Sequence, residues 1–209
     1  MTDHRRHNLA AARHQAVRAF TLVEILVVVV ILGIAASVVI PTLGARGDVR
    51  AQAACRALMA DLMYAQNRAI ASQKYAYVRF TVGSPTSYDK YELLDDTPTA
   101  TTAIAHPVNV PNKYVAVLSD KRDAAIDAAR SAAGALLDNC RLGTVAADGT
   151  TVGGVTVIGF DPLGVPQVYS AVGGTVPLAA PATLQVTSGQ HSMTVTMSPY
   201  TGDLDVSTP

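Results

Sequence analysis

The chain has 209 residues, of which 49% are hydrophobic, and its 16 basic side chains equal its 16 acidic ones in number. This length suits one folded domain together with an anchor segment. A formal charge of zero argues against a general nucleic-acid-binding protein, because such proteins present a basic face to the phosphate backbone.

An apolar stretch near the N-terminus dominates the sequence. From Ile25 to Ile40 no residue carries a charge, and only Ser37 is clearly polar. A helix of about 20 residues is about 30 Å long, which matches the hydrocarbon thickness of a bilayer. Glu24 interrupts the stretch near its end, where a carboxylate costs less than the roughly 2.5–3.5 kcal/mol it costs at the bilayer centre. We predict a transmembrane helix at 20–40.

The residues before this helix form a basic leader, 1–19, with four arginines and one aspartate. Basic flanks stay in the cytoplasm, so the rest of the chain is expected across the membrane. Without the leader, 12 basic and 15 acidic residues remain. Two simpler hypotheses stay open. One is a cleaved secretory signal, although its apolar core of about 7–15 residues would be shorter. The other is a plain anchor whose helix starts with a capping box, Thr21 to Glu24.

The order of these features closely resembles the N-terminus of type IV pilin-like proteins: a basic leader, a small residue, Phe-Thr-Leu-Val-Glu, an apolar helix and then Pro41. The resemblance implies that a prepilin peptidase cuts between Ala19 and Phe20 and that the new Phe20 amine is N-methylated. It also implies that the Glu24 carboxylate pairs with the amine of a neighbouring subunit, which makes burial of both charges tolerable. Ala19 stands where the family nearly always has glycine, so we expect slower cleavage.

Residues 41–72 are predicted to continue the helix in amphipathic form. Pro41, which the resemblance implies for filament assembly together with Glu24, would bend it. Asp48 can cap the segment that follows. Apolar residues recur at three-and-four spacing and form one stripe. The stripe comprises Ala51, Ala54, Cys55, Leu58, Leu62, Ala65 and Ala69. We therefore predict one long N-terminal helix whose second half lies on a sheet.

The remainder, 73–209, is predicted to be a β-rich head because alternating β-branched and aromatic runs are separated by turns. The predicted strands are Tyr75–Val82, Tyr88–Leu94, Lys113–Leu118, Val155–Phe160, Gln167–Ala171, Ala182–Thr187, Ser192–Met197 and Asp203–Val206. An alanine-rich segment near 120–138 is predicted to be an inserted helix, capped by Ser119. Strands joined by turns favour antiparallel pairing, so the expected fold class is α+β, with the long helix packed on an antiparallel sheet as in pilins.

Two distal segments, with the helix pattern of 51–71, resemble the GspH/FimT group of minor pseudopilins. They are Phe160–Pro166, which matches F-x-P-x-G, and Tyr200–Leu204, which matches the T-G ending. The resemblance implies a structural subunit of a periplasmic pseudopilus in type II protein secretion, anchored once in the bacterial inner membrane. Its partners would be other pseudopilins, prepilin peptidase and the inner-membrane assembly platform. The alternative is a minor type IV pilin, FimT-like, for pilus biogenesis or DNA uptake. Asp203 stands where a basic residue is common, which makes nucleic-acid binding a weak expectation.

Signals for catalysis are missing from the sequence. G-x-S-x-G, P-loop and H-E-x-x-H patterns do not occur. We expect no enzyme activity, no cofactor and no metal, and expect Asp95 and Asp96 to be solvated rather than bound to calcium. A membrane-anchored periplasmic enzyme with a pilin-like anchor remains the rival hypothesis. Cys55 and Cys140 allow one disulfide in an oxidising compartment, or two free thiols, since the sequence does not give their distance.

Overall fold

The computed structural model describes residues 20–44, 46–83, 88–108, 112–120, 133–148, 155–170 and 174–208. The chain divides into two compact units, Met1–Leu43 and Gly44–Pro209. The described part contains helices and β-sheets, so the predicted α+β class is confirmed. The helices are α1 (Leu22–Gly44) and α2 (Arg46–Ser72). The strands are β1 (Ala76–Thr81), β2 (Asp89–Asp95), β3 (Lys113–Ser119), β4 (Ala133–Asp138), β5 (Arg141–Ala146), β6 (Val155–Phe160), β7 (Pro166–Ser170), β8 (Gly174–Pro177), β9 (Ala182–Ser188), β10 (His191–Met197) and β11 (Leu204–Ser207).

The first unit is described over α1, and the leader residues 1–19 lie outside the described residues. Thr21 caps α1, because its Oγ1 accepts the Glu24 backbone N–H at 3.2 Å. The helix continues through Pro41 to Gly44. Among the residues that the structure describes, no helix is both long enough and apolar enough to cross a membrane. The side chains of residues 37–40, the last part of the predicted span, lie outside the description.

The second unit is built on α2, whose apolar stripe is buried as predicted. Every stripe residue from Ala51 to Ala69 is at most 1% exposed. The stripe packs on strands of both sheets, β1 and β6 in one and β9 and β10 in the other. Large core side chains from the strands, such as Phe80, Ile158 and Leu184, join it in a single cluster. Burial of this stripe explains why α2 is helical, since an isolated helix of this composition would be marginal in water.

The larger sheet has seven strands in the order β4-β3-β2-β1-β6-β7-β8. The predicted hairpin of β1 and β2 is antiparallel, with Phe80 opposite Tyr91. On its other side β1 pairs with β6, again antiparallel. The pair of β3 and β4 is parallel. The sheet is therefore mixed, and the expectation of a purely antiparallel sheet was wrong at this edge.

The smaller sheet has four antiparallel strands in the order β11-β10-β9-β5. A buried carboxylate joins it to the larger sheet, because Asp89 of β2 accepts hydrogen bonds from β5. Its donors there are the Arg141 Nε at 2.6 Å and the Leu142 N–H at 2.9 Å. Its other oxygen accepts the Gly83 N–H at 2.6 Å. Asp89 is completely buried, so these bonds replace the water that it loses.

The prediction of a helix at 120–138 is wrong over its last six residues, which form β4. Residues 121–132 lie outside the described residues. Ser119, the expected cap, is the last residue of β3. In β4, residues Ala135–Asp138 pair with Ala116–Ser119 of β3. Alanine favours helix locally, but pairing with a distant strand outweighs a propensity of a few tenths of a kcal/mol per residue. Two short strands, β5 and β8, were also not predicted.

Candidate functional site

The first candidate site is the start of α1. Phe20 is 74% exposed and precedes the helix, while Glu24 lies in its first turn with an exposed side chain. An acidic residue in the first turn is stabilised by the helix dipole. Only the Thr21 half of the predicted capping box forms in the described residues, so the Glu24 carboxylate remains available for another partner. Ala19, on the other side of the predicted cut, lies outside the described residues.

The apolar side chains that follow Glu24 are exposed within the chain. They are Ile25, Leu26, Val27, Val28, Val29, Val30, Ile31, Leu32 and Ile34. A run of this kind needs cover from lipid or protein, since soluble proteins rarely expose such large apolar patches. Pro41 belongs to α1 by its backbone, and its predicted role in assembly stays a prediction.

Cys55 and Cys140, for which the sequence left a disulfide and free thiols open, are present as two free, buried thiols. Cys140 Sγ lies 3.7 Å from the backbone carbonyl of Arg50, five residues before Cys55 on α2. Burial raises the pKa of the Cys55 thiol from 9.0 to about 11, with a smaller contribution from Cys140. Burial also raises the pKa of Cys140. Both thiols therefore stay protonated and weakly nucleophilic near neutral pH, and the disulfide stays a prediction.

A second candidate site lies at the C-terminal part of α2, where one side chain holds two distant turns. Gln66 Nε2 donates to the carbonyl of Gly164 at 2.9 Å and to that of Thr201 at 3.1 Å. The first carbonyl belongs to the Phe160–Pro166 segment and the second to the Tyr200–Leu204 segment. The structure thus brings together both distal segments singled out in the sequence and the helix segment that accompanied them. The role of Gln66 itself was not predicted.

The two glycines in these turns are required by conformation and by space. Gly164 has φ +84° and Gly202 has φ +75°, in the region that side chains other than glycine rarely adopt. A Cβ at position 202 would lie 2.7 Å from Gln66 Nε2, and one at position 164 would lie 2.8 Å from Ile70 Cδ1. The patterns F-x-P-x-G and T-G therefore describe two turns that fit against α2, which gives them a structural meaning in this chain.

A third cluster fixes α2 to the larger sheet. Asp61 accepts hydrogen bonds from the hydroxyl groups of Tyr91 at 2.6 Å and Tyr114 at 2.7 Å. Burial, together with the nearby Asp61 carboxylate, raises the pKa of both tyrosines. Tyr114 also stacks with Tyr64 and with His106, with ring centroids 5.1 and 4.7 Å away. The cluster has the character of a packing contact, because its polar groups satisfy one another.

The acidic corner at Asp95 and Asp96 is occupied by cations of the chain. Arg68 donates two hydrogen bonds to Asp95, at 2.7 and 2.6 Å, and Lys74 donates one to Asp96 at 2.7 Å. Across the described ranges, no three His, Cys, Asp or Glu residues are grouped as metal ligands would be. His191 lies at the tip of the β9–β10 hairpin, against Gly47 of α2.

The comparison with protein families agrees with the geometry of the first site. Residues 15–40 match the model of the prokaryotic N-terminal methylation motif. The chain carries a pilin-type N-terminus. The match covers both sides of the predicted cut, as well as Glu24 and the apolar helix, and it ends before Pro41. No curated protein and no solved structure matches the chain.

Such a motif implies cleavage by a prepilin peptidase, a membrane anchor, a head that faces the periplasm and assembly into a filament with other pilins. It does not extend to the Phe160–Pro166 and Tyr200–Leu204 segments, so it applies equally to secretion pseudopilins and to pilus subunits.

Proposed function

We propose that this protein is a minor pseudopilin of the GspH/FimT type, a structural subunit of the periplasmic pseudopilus of a type II secretion system. In this role it has no catalytic step of its own. The observation that carries the proposal is the match of residues 15–40 to the methylation motif, together with Glu24 in the first turn of α1. A minor type IV pilin remains the alternative, because both kinds of subunit share this N-terminus.

The second candidate site supports the finer assignment. The two segments that resemble the GspH/FimT group are far apart in sequence, yet both bind the same glutamine of α2. Segments that meet in this way form one structural unit. This gives a physical reason for their occurrence together after a pilin-type helix.

In the assembled subunit, α1 would lie in the inner membrane and the head in the periplasm. The exposed apolar side chains of α1 would pack against equivalent helices of neighbouring subunits. Glu24 would then pair with the Phe20 amine of a neighbour. Pairing stabilises a carboxylate that would otherwise be buried alone at a cost of several kcal/mol.

Mass spectrometry of the mature N-terminus tests the proposal. When the chain is coexpressed with prepilin peptidase, we expect it to begin at Phe20 and to carry one methyl group on the amine. A chain that still begins at Met1 would contradict the proposal. The matched control is the same chain without the peptidase, which should keep all 19 leader residues.

The Glu24→Val variant tests the role of the carboxylate. We expect cleavage to be unchanged, because the bond that is cut precedes Phe20, and we expect incorporation into filaments to be lost. Glu24→Asp, which keeps the charge on a shorter side chain, should retain part of the assembly. Filament content would be measured in a host with the complete assembly machinery, and normal assembly of Glu24→Val would refute the pairing.

A further inference from the structure

The two cysteines of the chain meet in the core of the head, although they are far apart in sequence. Both belong to the hydrophobic cluster beneath α2. Cys140 Sγ lies 3.7 Å from the Arg50 carbonyl. In an α-helix this carbonyl accepts the N–H four residues later, here that of Ala54, so the Cys140 thiol lies beside the residue that precedes Cys55. Cys140 also contributes to the raised pKa of Cys55, which requires the two sulfur atoms to be near each other.

Cys140 is held in its position by the turn between β4 and β5. The chain passes there from the larger sheet to the smaller one. The Asn139 N–H donates to the Ser119 carbonyl at 2.8 Å, and the Ser188 hydroxyl donates to the Asn139 carbonyl at 2.7 Å. Asn139 has φ +56°, a conformation that asparagine adopts more readily than most residues. A covalent bond from Cys140 to α2 would therefore join the helix and both sheets at one point.

The simplest explanation of one buried cysteine is a small apolar side chain. That explanation does not account for the pair, because the only two cysteines of the chain come from distant elements to one small region of the core. Neither thiol takes part in the sites described above. The pilin-type N-terminus implies a head in the periplasm, where thiols are oxidised and disulfides persist.

We propose that Cys55 and Cys140 form a disulfide in the mature protein, and that the bond forms before the head closes around them. Two S–H bonds break and one S–S bond forms. The two protons and two electrons pass to the disulfide of a periplasmic dithiol–disulfide oxidoreductase, whose own S–S bond opens to two thiols. The proposal rests on the proposed function only for the compartment, since it needs an oxidising one.

The order of these events follows from burial. Exchange requires a thiolate in direct contact with the disulfide of the oxidant. In the folded head the two cysteines are 1% and 2% exposed, and burial raises the pKa of Cys55 to about 11. The unfolded chain exposes both thiols at their ordinary pKa. Oxidation therefore occurs during folding, and the buried bond is afterwards protected from reductants.

Mass spectrometry of the full-length chain, coexpressed with prepilin peptidase in a host with periplasmic thiol oxidation, tests the bond. Cells would be quenched in acid, and the protein would be denatured and treated with N-ethylmaleimide. We expect a chain lighter by two hydrogen atoms than the dithiol form, with maleimide added only after reduction. Trypsin should release Ala51–Arg56 joined to Ser131–Arg141.

Refolding in detergent tests the geometry without membrane insertion or peptidase. The urea-unfolded full-length chain would be diluted into a mixture of reduced and oxidised glutathione, and we expect the same bond. The native reduced chain should form it at least about tenfold more slowly. The matched control carries Cys55→Ala and Ala53→Cys, which moves the thiol to an exposed position on the same helix. It should keep two free thiols after refolding.

Thermal unfolding gives the consequence of the bond. A disulfide that closes a loop of about 85 residues should raise the Tm of the oxidised protein above that of the reduced protein by roughly 10 °C. Cys55→Ala and Cys140→Ala should each abolish this difference between the two conditions, whatever their own Tm.

Three results would overturn the proposal. They are two free thiols in a chain that begins at Phe20, equal oxidation rates of the native and the unfolded chain, and a bond in the control as readily as in the natural sequence. A chain that still begins at Met1 contradicts the proposed function instead. In that case the refolding mixture decides on the disulfide, and free thiols there would refute it.

Discussion

At the scale of single residues, Gly202 is predicted to be far less replaceable than Gly174. Both have positive φ, +75° and +70°. A Cβ at 202 would meet Gln66 Nε2 at 2.7 Å and Pro166 Cγ at 3.3 Å, whereas a Cβ at 174 would meet nothing within 4 Å. We expect Gly174→Ala to lower the free energy of unfolding by about 1 kcal/mol through backbone strain alone. Gly202→Ala should cost about 2–4 kcal/mol, because crowding adds to the strain. Urea unfolding of both variants measures the difference, and equal costs would contradict the steric argument.

Gln66 is the second residue whose replacement should be informative. Gln66→Ala removes one donor group from two carbonyls, so we expect a loss of about 1–3 kcal/mol in the free energy of unfolding. Gln66→Glu should be worse, because a carboxylate would face the two carbonyl oxygens and could not donate to them. Asn67→Ala, at the neighbouring exposed position, is the control and should stay within about 0.5 kcal/mol. A result for Gln66→Ala within the range of this control would show that the two turns do not depend on it.

At the scale of elements, the Asp89 carboxylate joins the two sheets and should be sensitive to substitution. Asp89→Ala leaves the buried end of Arg141 and two backbone N–H groups without their acceptor, which we expect to cost about 3–5 kcal/mol. Asp120 binds the same arginine from an exposed position, at 3.1 Å. Asp120→Ala should therefore cost less than about 1 kcal/mol. Thermal and urea unfolding would compare the two variants, and similar losses would mean that the buried bonds are unimportant.

Elements whose signal lies within one stretch of sequence could be predicted. Elements that form because they pair with a distant strand could not. The stripe of α2 and the hairpins β1–β2 and β9–β10 follow from periodicity and turns within one stretch of sequence. In β4, the alanine-rich residues 133–138 carry a helical signal, and only the parallel pairing with β3 makes them a strand. β5 has its buried position because Arg141 and Leu142 bind Asp89, more than 50 residues away. No local pattern carries that information.

At the scale of the whole molecule, the same distinction separates the two candidate sites. The N-terminal motif is contiguous, so the spacing of Phe20, Glu24 and the apolar run was sufficient to recognise it, and residues 15–40 match the methylation motif. The Gln66 site joins residues that are 98 and 135 positions apart. The sequence indicated the two glycine-containing segments separately. It did not indicate that one glutamine would bind both.

The stability of the whole molecule should fall in alkaline solution. Burial raises the pKa of Cys55, Cys140, Tyr77, Tyr91 and Tyr114. The native state therefore holds these protons more tightly than the unfolded state does. Their contribution is complete below the unfolded pKa values and is lost as the pH rises through the native ones. Each group can contribute up to about 1.4 kcal/mol per pH unit within its own window.

The raised pKa of Cys55 defines a pH range in which the stabilities of the reduced and the oxidised protein should differ. Its pKa rises from 9.0 to about 11, so the free energy of unfolding of the reduced protein should fall between these pH values, before most of the tyrosine effect. Urea unfolding with reductant across this range measures the slope, and Cys55→Ala should flatten it. If Cys55 and Cys140 form a disulfide, the oxidised protein has neither thiol to titrate, so its slope should be flatter still than that of Cys55→Ala, which keeps the Cys140 thiol. A slope in the reduced protein equal to that of Cys55→Ala would refute the assignment to this thiol.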